Sequence, residues 1–119
     1  MAKILVIEDD EMLLALLQNI LGEAGFEIVT TADGPSGIAL YKRHQPDLVL
    51  LDLALPSMNG LEVLKVIREY DRKARIIVVT GYGSEESAEV AFRYGATDFI
   101  QKPFESEPLV ERVKAVLSS

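Results

Sequence analysis

The hydrophobic residues of this chain fall into five short runs, separated by stretches in which apolar residues recur at helical spacing. The runs are rich in β-branched and aliphatic residues, as expected of strands. Leu48–Leu51 and Ile76–Val79 are apolar at every position, which is typical of parallel strands covered on both faces. The predicted strands are Lys3–Ile7, Phe26–Thr31, Asp47–Leu51, Arg75–Thr80 and Thr97–Gln101.

Five helices are predicted in the segments that follow the strands. The first carries an apolar stripe and ends near Gly22 and Gly25, and the second runs from Asp33-Gly34-Pro35 to about His44. The other three begin at Asn59, Ser84 and Ser106-Glu107-Pro108. The apolar positions are Met12, Leu13, Leu16, Leu17, Ile20 and Leu21 in the first helix, Leu61, Leu64 and Ile67 in the third, and Leu109, Val110, Val113, Val116 and Leu117 in the fifth.

The strict alternation of strands and helices predicts an α/β fold, with a doubly wound sheet of five parallel strands and helices on both faces. No linker or internal repeat interrupts the pattern, so we expect one domain over residues 1–119. Sheets of this kind bind ligands at the carboxyl ends of their strands. Candidate functional residues are therefore sought directly after each strand.

Composition removes several classes of function. The chain has no cysteine, which excludes disulfides and thiolate sites and suits a cytoplasmic protein. Its net charge of −7 opposes direct nucleic-acid binding, and its apolar runs are too short for a signal peptide or a membrane span. His44 is the only histidine, so a catalytic triad or a histidine metal cluster cannot be assembled.

Polar side chains that could act together follow four of the predicted strands. Glu8 and Asp9 follow the first strand, Asp52 follows the third, Thr80 ends the fourth and Lys102 follows the fifth. The parallel topology brings these groups to one edge of the sheet. Three clustered carboxylates repel one another unless a cation lies between them, and Mg²⁺ suits a few carboxylate oxygens better than Ca²⁺ does.

The same edge has the groups needed for phosphoryl transfer to the protein itself. Asp52 can act as a nucleophile that forms an acyl phosphate, while Lys102 and Thr80 can contact the transferred oxygens. Taken singly, each residue also has a purely structural explanation, since the acidic run at Glu8 could be a helix amino terminus and Lys102 a solvated loop residue. The combination at one edge is what favours a phosphoryl site.

With these residues placed, the sequence resembles the receiver domains of two-component response regulators, such as the chemotaxis receivers, from Lys3 to Leu117. The motifs that carry the resemblance are Ile4-Leu5-Val6-Ile7-Glu8-Asp9-Asp10, Asp47-Leu48-Val49-Leu50-Leu51-Asp52, Leu55-Pro56-Ser57-Met58-Asn59-Gly60, Val79-Thr80-Gly81 and Lys102-Pro103-Phe104. The resemblance implies a flavodoxin-like strand order of 2-1-3-4-5. It also implies a cis peptide bond between Lys102 and Pro103.

The resemblance implies that Asp52 accepts a phosphoryl group from the phosphohistidine of a sensor histidine kinase. Asp9 would then bind Mg²⁺ directly, Glu8 largely through water, and Ala54 through its backbone carbonyl. Thr80 and Lys102 would contact the phosphoryl group. Such a domain catalyses only its own phosphorylation and dephosphorylation, and is not otherwise an enzyme.

Phe99 matches the aromatic switch residue of the family, which changes rotamer when the threonine moves. Alternatively, Phe99 is a phenylalanine packed permanently in the core.

The resemblance implies an output face for a downstream effector, formed by the fourth helix, fifth strand and fifth helix, and allows a homodimer on activation. In the family, the positions two after the acceptor and two after the threonine affect the phosphoryl lifetime. Here they are Ala54 and Tyr82, neither of which is acidic or an amide, so we expect no side chain to position an attacking water and the phosphorylated state to decay slowly. The output segments are roughly Ser84–Tyr94, Thr97–Gln101 and Ser106–Leu117.

Three other functions remain open from the residues alone. A phosphatase with Asp52 as nucleophile would resemble haloacid dehalogenases, but Ala54 stands where that class has a second aspartate. A nucleotide or flavin module would need glycines where this chain has the acidic run Glu8–Glu11. An interaction domain that works without phosphorylation is the third.

Overall fold

A computed structural model of the protein describes residues 1–81 and 85–119. Strands and helices alternate along the chain as predicted. They are β1 (Lys3–Ile7), α1 (Glu11–Glu23), β2 (Glu27–Thr31), α2 (Gly34–His44), β3 (Leu48–Leu51), α3 (Gly60–Tyr70), β4 (Ile76–Thr80), α4 (Glu85–Arg93), β5 (Asp98–Gln101) and α5 (Ser106–Ser118). Within the described residues, no helix is both long and apolar enough to span a membrane.

The five strands form one parallel sheet in the order β2-β1-β3-β4-β5, which confirms the predicted doubly wound fold. The central strands are β1, β3 and β4, and all four residues of β3 and all five of β4 are buried. Burial on both faces is what allows these strands to be apolar at every position.

Two hydrophobic layers cover the faces of the sheet. One contains Leu17 and Leu21 of α1 together with Leu109 and Val113 of α5. The other contains residues of α2, α3 and α4, including the fully buried Leu64 and Ala91. The carboxyl edge of the sheet is left uncovered between these layers, so the residues that follow the strands can line a site there.

The predicted beginnings of β2, β3, β4 and β5 are each one residue too early. Two of the residues that precede these strands accept backbone hydrogen bonds on their side chains. The Asp47 carboxylate accepts a hydrogen bond from the Lys3 backbone N–H at 2.7 Å. Thr97 accepts a hydrogen bond from the Ile76 N–H on its hydroxyl. The excluded residues are Phe26, Asp47, Arg75 and Thr97.

Side-chain caps fix the beginnings of three helices. Asp33 accepts hydrogen bonds from the backbone and hydroxyl of Ser36, and Asn59 accepts one from the Leu61 N–H, which confirms both predicted caps. Asp10 caps α1 by accepting from the N–H groups of its first turn. The predicted cap Ser84 lies outside the described residues.

The apolar stripe of α1 is only partly buried. Leu17 and Leu21 belong to the core, whereas Met12 is 85% exposed and Leu16 is 48% exposed. Helical spacing therefore identified the helix but overestimated the width of the face that packs on the sheet.

Candidate functional site

The acidic residues of the site are positioned by the pairing of β1 with β3. These strands are adjacent and parallel, with Ile7 opposite Leu51, so the residues that follow them lie side by side. The Asp52 N–H donates to the Ile7 carbonyl at 3.0 Å, which fixes the backbone of the predicted nucleophile. On the other side, the Glu8 N–H donates to the Thr31 carbonyl of β2 at 3.0 Å.

Glu8, Asp9 and Asp52 come together as predicted, with one carboxylate oxygen of each lying within 4.8 Å of the others. Glu8 and Asp52 are buried, with 2% and 5% of their surface exposed, whereas Asp9 faces solvent. Two buried acids at this separation repel each other and lose hydration, so the arrangement requires positive charge.

Lys102 provides that charge from the residue that follows β5. Its ammonium nitrogen lies 2.5 Å from Glu8 Oε1 and 3.2 Å from Asp52 Oδ2. Its backbone N–H donates to the Thr80 carbonyl at 3.0 Å, which attaches the lysine to the end of β4. Sequence analysis placed Lys102 beside the phosphoryl group and did not foresee its direct ion pair with Glu8.

For both Glu8 and Lys102, burial and the ion pair shift the pKa in opposite directions. Burial raises the pKa of Glu8, and the hydrogen bond from Lys102 only partly offsets this effect. Burial alone would lower the pKa of Lys102, but the hydrogen bond to Glu8 and the nearby Asp52 carboxylate raise it overall. Lys102 is therefore a firmly charged ammonium in contact with both acids.

Asp52 borders a recess that is open to solvent. Its Oδ1 accepts a hydrogen bond from the Ala54 N–H at 3.1 Å, and its Oδ2 contacts Lys102. The recess has a volume of about 330 Å³ and is lined by Asp52, Ala54, Gly81 and Lys102. A carboxylate oxygen of Asp52 thus lies at the wall of a cavity beside a fixed cation.

Gly60 is a supporting residue whose spatial role the sequence did not indicate. A Cβ at this position would lie against the Leu53 Cα and only 2.6 Å from the Asp52 carbonyl oxygen. The Gly60 N–H donates to the Leu53 carbonyl at 3.0 Å, so the first turn of α3 packs directly on the backbone after β3. This close approach holds the loop that follows Asp52.

The donor set fits a hard divalent cation. All three clustered acids offer carboxylate oxygens, and the exposed Asp9 gives solvent access to the cluster. Carboxylate oxygens and water are the ligands that Mg²⁺ takes in proteins. The cluster Glu8, Asp9 and Asp52 could therefore hold such an ion.

The other predicted site residues lie close to this edge or outside the described residues. Thr80 is the last residue of β4 and is fully buried. Phe99 is half-buried on β5 and packs against the layer that contains α3 and α4. The Lys102–Pro103 peptide bond is cis, as predicted. Tyr82 lies outside the described residues.

Comparison with known proteins agrees with this geometry. The chain is 36% identical to the chemotaxis protein CheY of Bacillus subtilis over 117 residues, or 98% of each protein. It is 39% identical to the sensory transduction protein RegX3 of Mycolicibacterium smegmatis, of which it spans 51%. The crystal structure of a CheX–CheY–BeF₃–Mg²⁺ complex from Borrelia burgdorferi superposes with a TM-score of 0.93 at 33% identity, over 97% of this chain and 88% of that one.

The family model of the response regulator receiver domain matches residues 4–114. The match includes β2 to β5, all of β1 except Lys3, and the acids, threonine and lysine at the carboxyl edge. It agrees with the strand order and with the acidic cluster beside Asp52. The chain therefore belongs to the response regulator receiver domains of two-component systems.

Proposed function

We propose that this domain accepts a phosphoryl group on Asp52 from the phosphohistidine of a sensor histidine kinase, in a reaction that depends on Mg²⁺. The observation that carries the proposal is the position of the Asp52 carboxylate, which borders a recess of about 330 Å³ and contacts the Lys102 ammonium at 3.2 Å. An aspartate in this setting can act as a nucleophile towards phosphorus.

In the proposed reaction, an Asp52 oxygen forms a bond to phosphorus while the bond from phosphorus to the donor imidazole nitrogen breaks. The product is an acyl phosphate, and the electron pair of the broken bond stays on the imidazole, which takes a proton from solvent. Lys102 balances the charge that accumulates on the phosphoryl oxygens. Thr80, at the end of β4, adds a hydroxyl contact to one of these oxygens.

Glu8, Asp9 and Asp52 would hold the metal ion, and the Ala54 backbone carbonyl would complete the protein ligands. When bound, Mg²⁺ neutralises the acids and the incoming phosphoryl oxygens. The chain's own residues keep Asp52 in place: the Ile7 carbonyl accepts from its backbone N–H, and the Ala54 N–H donates to its carboxylate. The proposed ligands agree with the acidic cluster and with the Mg²⁺ named for the Borrelia burgdorferi complex.

Phosphorylation would be read out on the face formed by α4, β5 and α5. The backbone contact between Lys102 and the Thr80 carbonyl joins the ends of β4 and β5, so a phosphoryl group that attracts both side chains would shift this region. Phe99, on β5, is the proposed switch residue. The shift would change the population of two states of the face and thereby its affinity for an effector domain or protein.

The domain would catalyse only its own phosphorylation and dephosphorylation. An interaction domain that works without phosphorylation is the second candidate, and the pairing of Lys102 with both buried acids favours it in one respect, since the ion pair stabilises the site without any ligand. The two candidates differ in whether Asp52 becomes modified.

Intact mass spectrometry after incubation with acetyl phosphate or phosphoramidate and Mg²⁺ tests the proposal. Phosphoramidate contains the P–N bond type of phosphohistidine. We expect a single phosphoryl adduct that hydroxylamine removes, that a chelator prevents and that Asp52→Asn abolishes. Asp47→Asn is the matched control, because Asp47 is an exposed aspartate before β3, and it should still be modified. An unmodified native chain would overturn the proposal and favour the interaction domain.

A further inference from the structure

The carboxyl-terminal turns of α3 and α4 concentrate positive charge in an otherwise acidic protein. Residues 65–75 contain five lysines and arginines and only two acids, although the whole chain has a net charge of −7. Arg93 adds a sixth cation from the last turn of α4, so this region holds half of the twelve basic residues. In the doubly wound topology, these turns lie at the edge of the sheet opposite to Asp52.

Three of these cations line a defined recess. A cavity of about 330 Å³ lies between α3 and α4 and is lined by Lys65, Arg68, Glu69, Arg93 and Tyr94. Lys65 and Arg93 are exposed on its rim, and 43% of the surface of Tyr94 is exposed. The recess thus offers positive charge and an aromatic surface together.

The floor of the recess is rigid because Arg68 connects the ends of the two helices. Its Nη2 and Nε donate to the Gly95 carbonyl at 2.7 and 3.1 Å, and its Nη1 donates to the Arg72 carbonyl at 2.8 Å. All of these acceptors are neutral carbonyls. Arg68 therefore keeps its net positive charge while its side chain is held in place.

The two rim cations have no side-chain partner among residues 1–81 and 86–119. The three ion pairs in this part of the chain involve Lys102 and Arg112, and neither Lys65 nor Arg93 makes a side-chain hydrogen bond or ion pair there. Glu69 is the single acid of the lining, and it pairs with neither cation within 4.0 Å. Three positive side chains thus face one carboxylate.

We propose that the recess between α3 and α4 is a docking surface for an acidic segment of a partner protein, separate from the Asp52 site. Carboxylates of the segment would pair with Lys65 and Arg93, and an apolar side chain next to them would pack on Tyr94.

The charge distribution of the chain favours an acidic peptide over a nucleic acid as the ligand of the recess. A polyanion with closely spaced phosphates needs an extended basic track, whereas the cations here are confined to one end of a chain with charge −7. A short acidic segment interacts only with the local patch, since fields beyond about 8 Å are screened at physiological salt. A second copy of this chain that bound through its own acidic carboxyl edge would leave its own recess free, so the copies would assemble into an open head-to-tail chain. A short acidic segment of another protein binds the recess without such assembly.

Fluorescence anisotropy with a labelled peptide rich in glutamate and aspartate tests this surface. We expect saturable binding that weakens with salt and is lost when the peptide acids are replaced by glutamine and asparagine. The double variant Lys65→Glu with Arg93→Glu should raise Kd by about tenfold or more. Both side chains are exposed, so folding is retained, and a circular dichroism melt checks this.

Lys3→Glu with Lys114→Glu is the matched control, because it makes the same change in net charge at two residues that do not line the recess, and it should change Kd by less than about twofold. Equal weakening by the two double variants would overturn the proposal, since only total charge would then matter. Tighter binding of a single-stranded oligonucleotide than of the acidic peptide would also overturn it. So would self-association, seen by light scattering, that the Lys65 and Arg93 substitutions abolish. Phosphoryl uptake by Asp52 should be unchanged in both variants.

Discussion

The ammonium group of Lys102 lies 2.5 Å from Glu8 Oε1, although the two residues are 94 positions apart in the chain. This distance is shorter than the 3.2 Å from the same nitrogen to Asp52 Oδ2. Lys102 therefore stabilises the site by pairing mainly with an acid that is not the proposed phosphoacceptor. The protein can keep its two buried acids next to each other before any ligand arrives.

Removal of this cation should destabilise the domain. Lys102→Met keeps a long side chain but leaves Glu8 and Asp52 buried without their partner, so we expect the free energy of unfolding to fall by about 1–3 kcal/mol in the presence of a chelator. Urea denaturation measures the change. Lys114→Met on α5 is the control and should change stability by less than about 0.5 kcal/mol. Equal effects of the two substitutions would show that the ion pair adds nothing.

A second polar contact connects α2 with the end of α3. The buried Tyr41 donates a hydrogen bond to Asp71 Oδ2 at 2.7 Å. Tyr41→Phe should lower the free energy of unfolding by about 0.5–1.5 kcal/mol at neutral pH. The half-exposed Tyr70 makes no such bond within the described residues, so Tyr70→Phe should leave stability nearly unchanged.

This contact also predicts a pH dependence. The hydrogen bond from Tyr41 lowers the pKa of Asp71 below its ordinary value of 3.8. The contribution of this bond to stability is therefore present above pH 3.8 and is lost as the pH falls through the folded-state pKa of Asp71. The stability difference between native protein and Tyr41→Phe should therefore narrow in acid. Urea denaturation as a function of pH measures it, and a difference that widened below pH 3.8 would contradict this assignment.

Gly60 and Gly22 form a matched pair for testing the support of the Asp52 loop. A Cβ at Gly60 would collide with the backbone of Asp52 and Leu53, so Gly60→Ala should cost more than about 2 kcal/mol and slow phosphoryl uptake. Gly22 is a helical residue with nothing within 4 Å of its Cβ position. Gly22→Ala should therefore stabilise the domain by about 0.5–1 kcal/mol. Thermal melts and intact mass together distinguish these outcomes.

The lifetime of the phosphorylated state should depend on Ala54. This residue lines the recess beside Asp52, and its methyl group cannot orient a water molecule for attack on phosphorus. Ala54→Asn places an amide there, and we expect dephosphorylation to accelerate by about tenfold or more. Time-resolved intact mass after removal of acetyl phosphate measures the rate, and an unchanged rate would exclude this explanation for position 54.

Phe99 should change its environment when Asp52 is phosphorylated. Its side chain is half-buried against the layer that contains α3 and α4. We expect the ring signals of Phe99 in NMR spectra to shift after acetyl phosphate is added, while those of Phe26 stay unchanged. Phe26 packs against the opposite layer and serves as the internal control. If the ring signals of Phe99 do not shift, Phe99 has a purely structural role.

Sequence alone predicted the order of the elements and the edge of the sheet where the site lies. This was possible because continuous apolar runs such as Leu48–Leu51 have few structural alternatives, and because parallel strands place their carboxyl ends together. It could not predict that Lys102 pairs with Glu8 rather than lying against Asp52 alone. That choice depends on side-chain distances of a few ångströms, which a pattern of residue types does not encode.

The exact beginnings of the strands and the exposed part of α1 could not be predicted from the sequence either. Asp47 and Thr97 are compatible with a strand, and their backbone N–H groups donate to the Lys3 and Ile76 carbonyls. Their side chains in addition accept hydrogen bonds from the Lys3 and Ile76 N–H groups. Met12 and Leu16 share the helical period of the buried leucines, yet they lie outside the face of α1 that packs on the sheet. Both results depend on neighbours distant in sequence.

The order in which the chain is made gives the ion pair at the carboxyl edge a further consequence. The acids come from the ends of β1 and β3, whereas the cation follows β5, the last strand of the sheet. A nascent chain that has emerged from the ribosome only through β4 carries Glu8 and Asp52 without their counter-ion. The lysine that pairs with both acids is present only once residue 102 has been added, so a truncated or half-synthesised domain lacks the positive charge that holds them together.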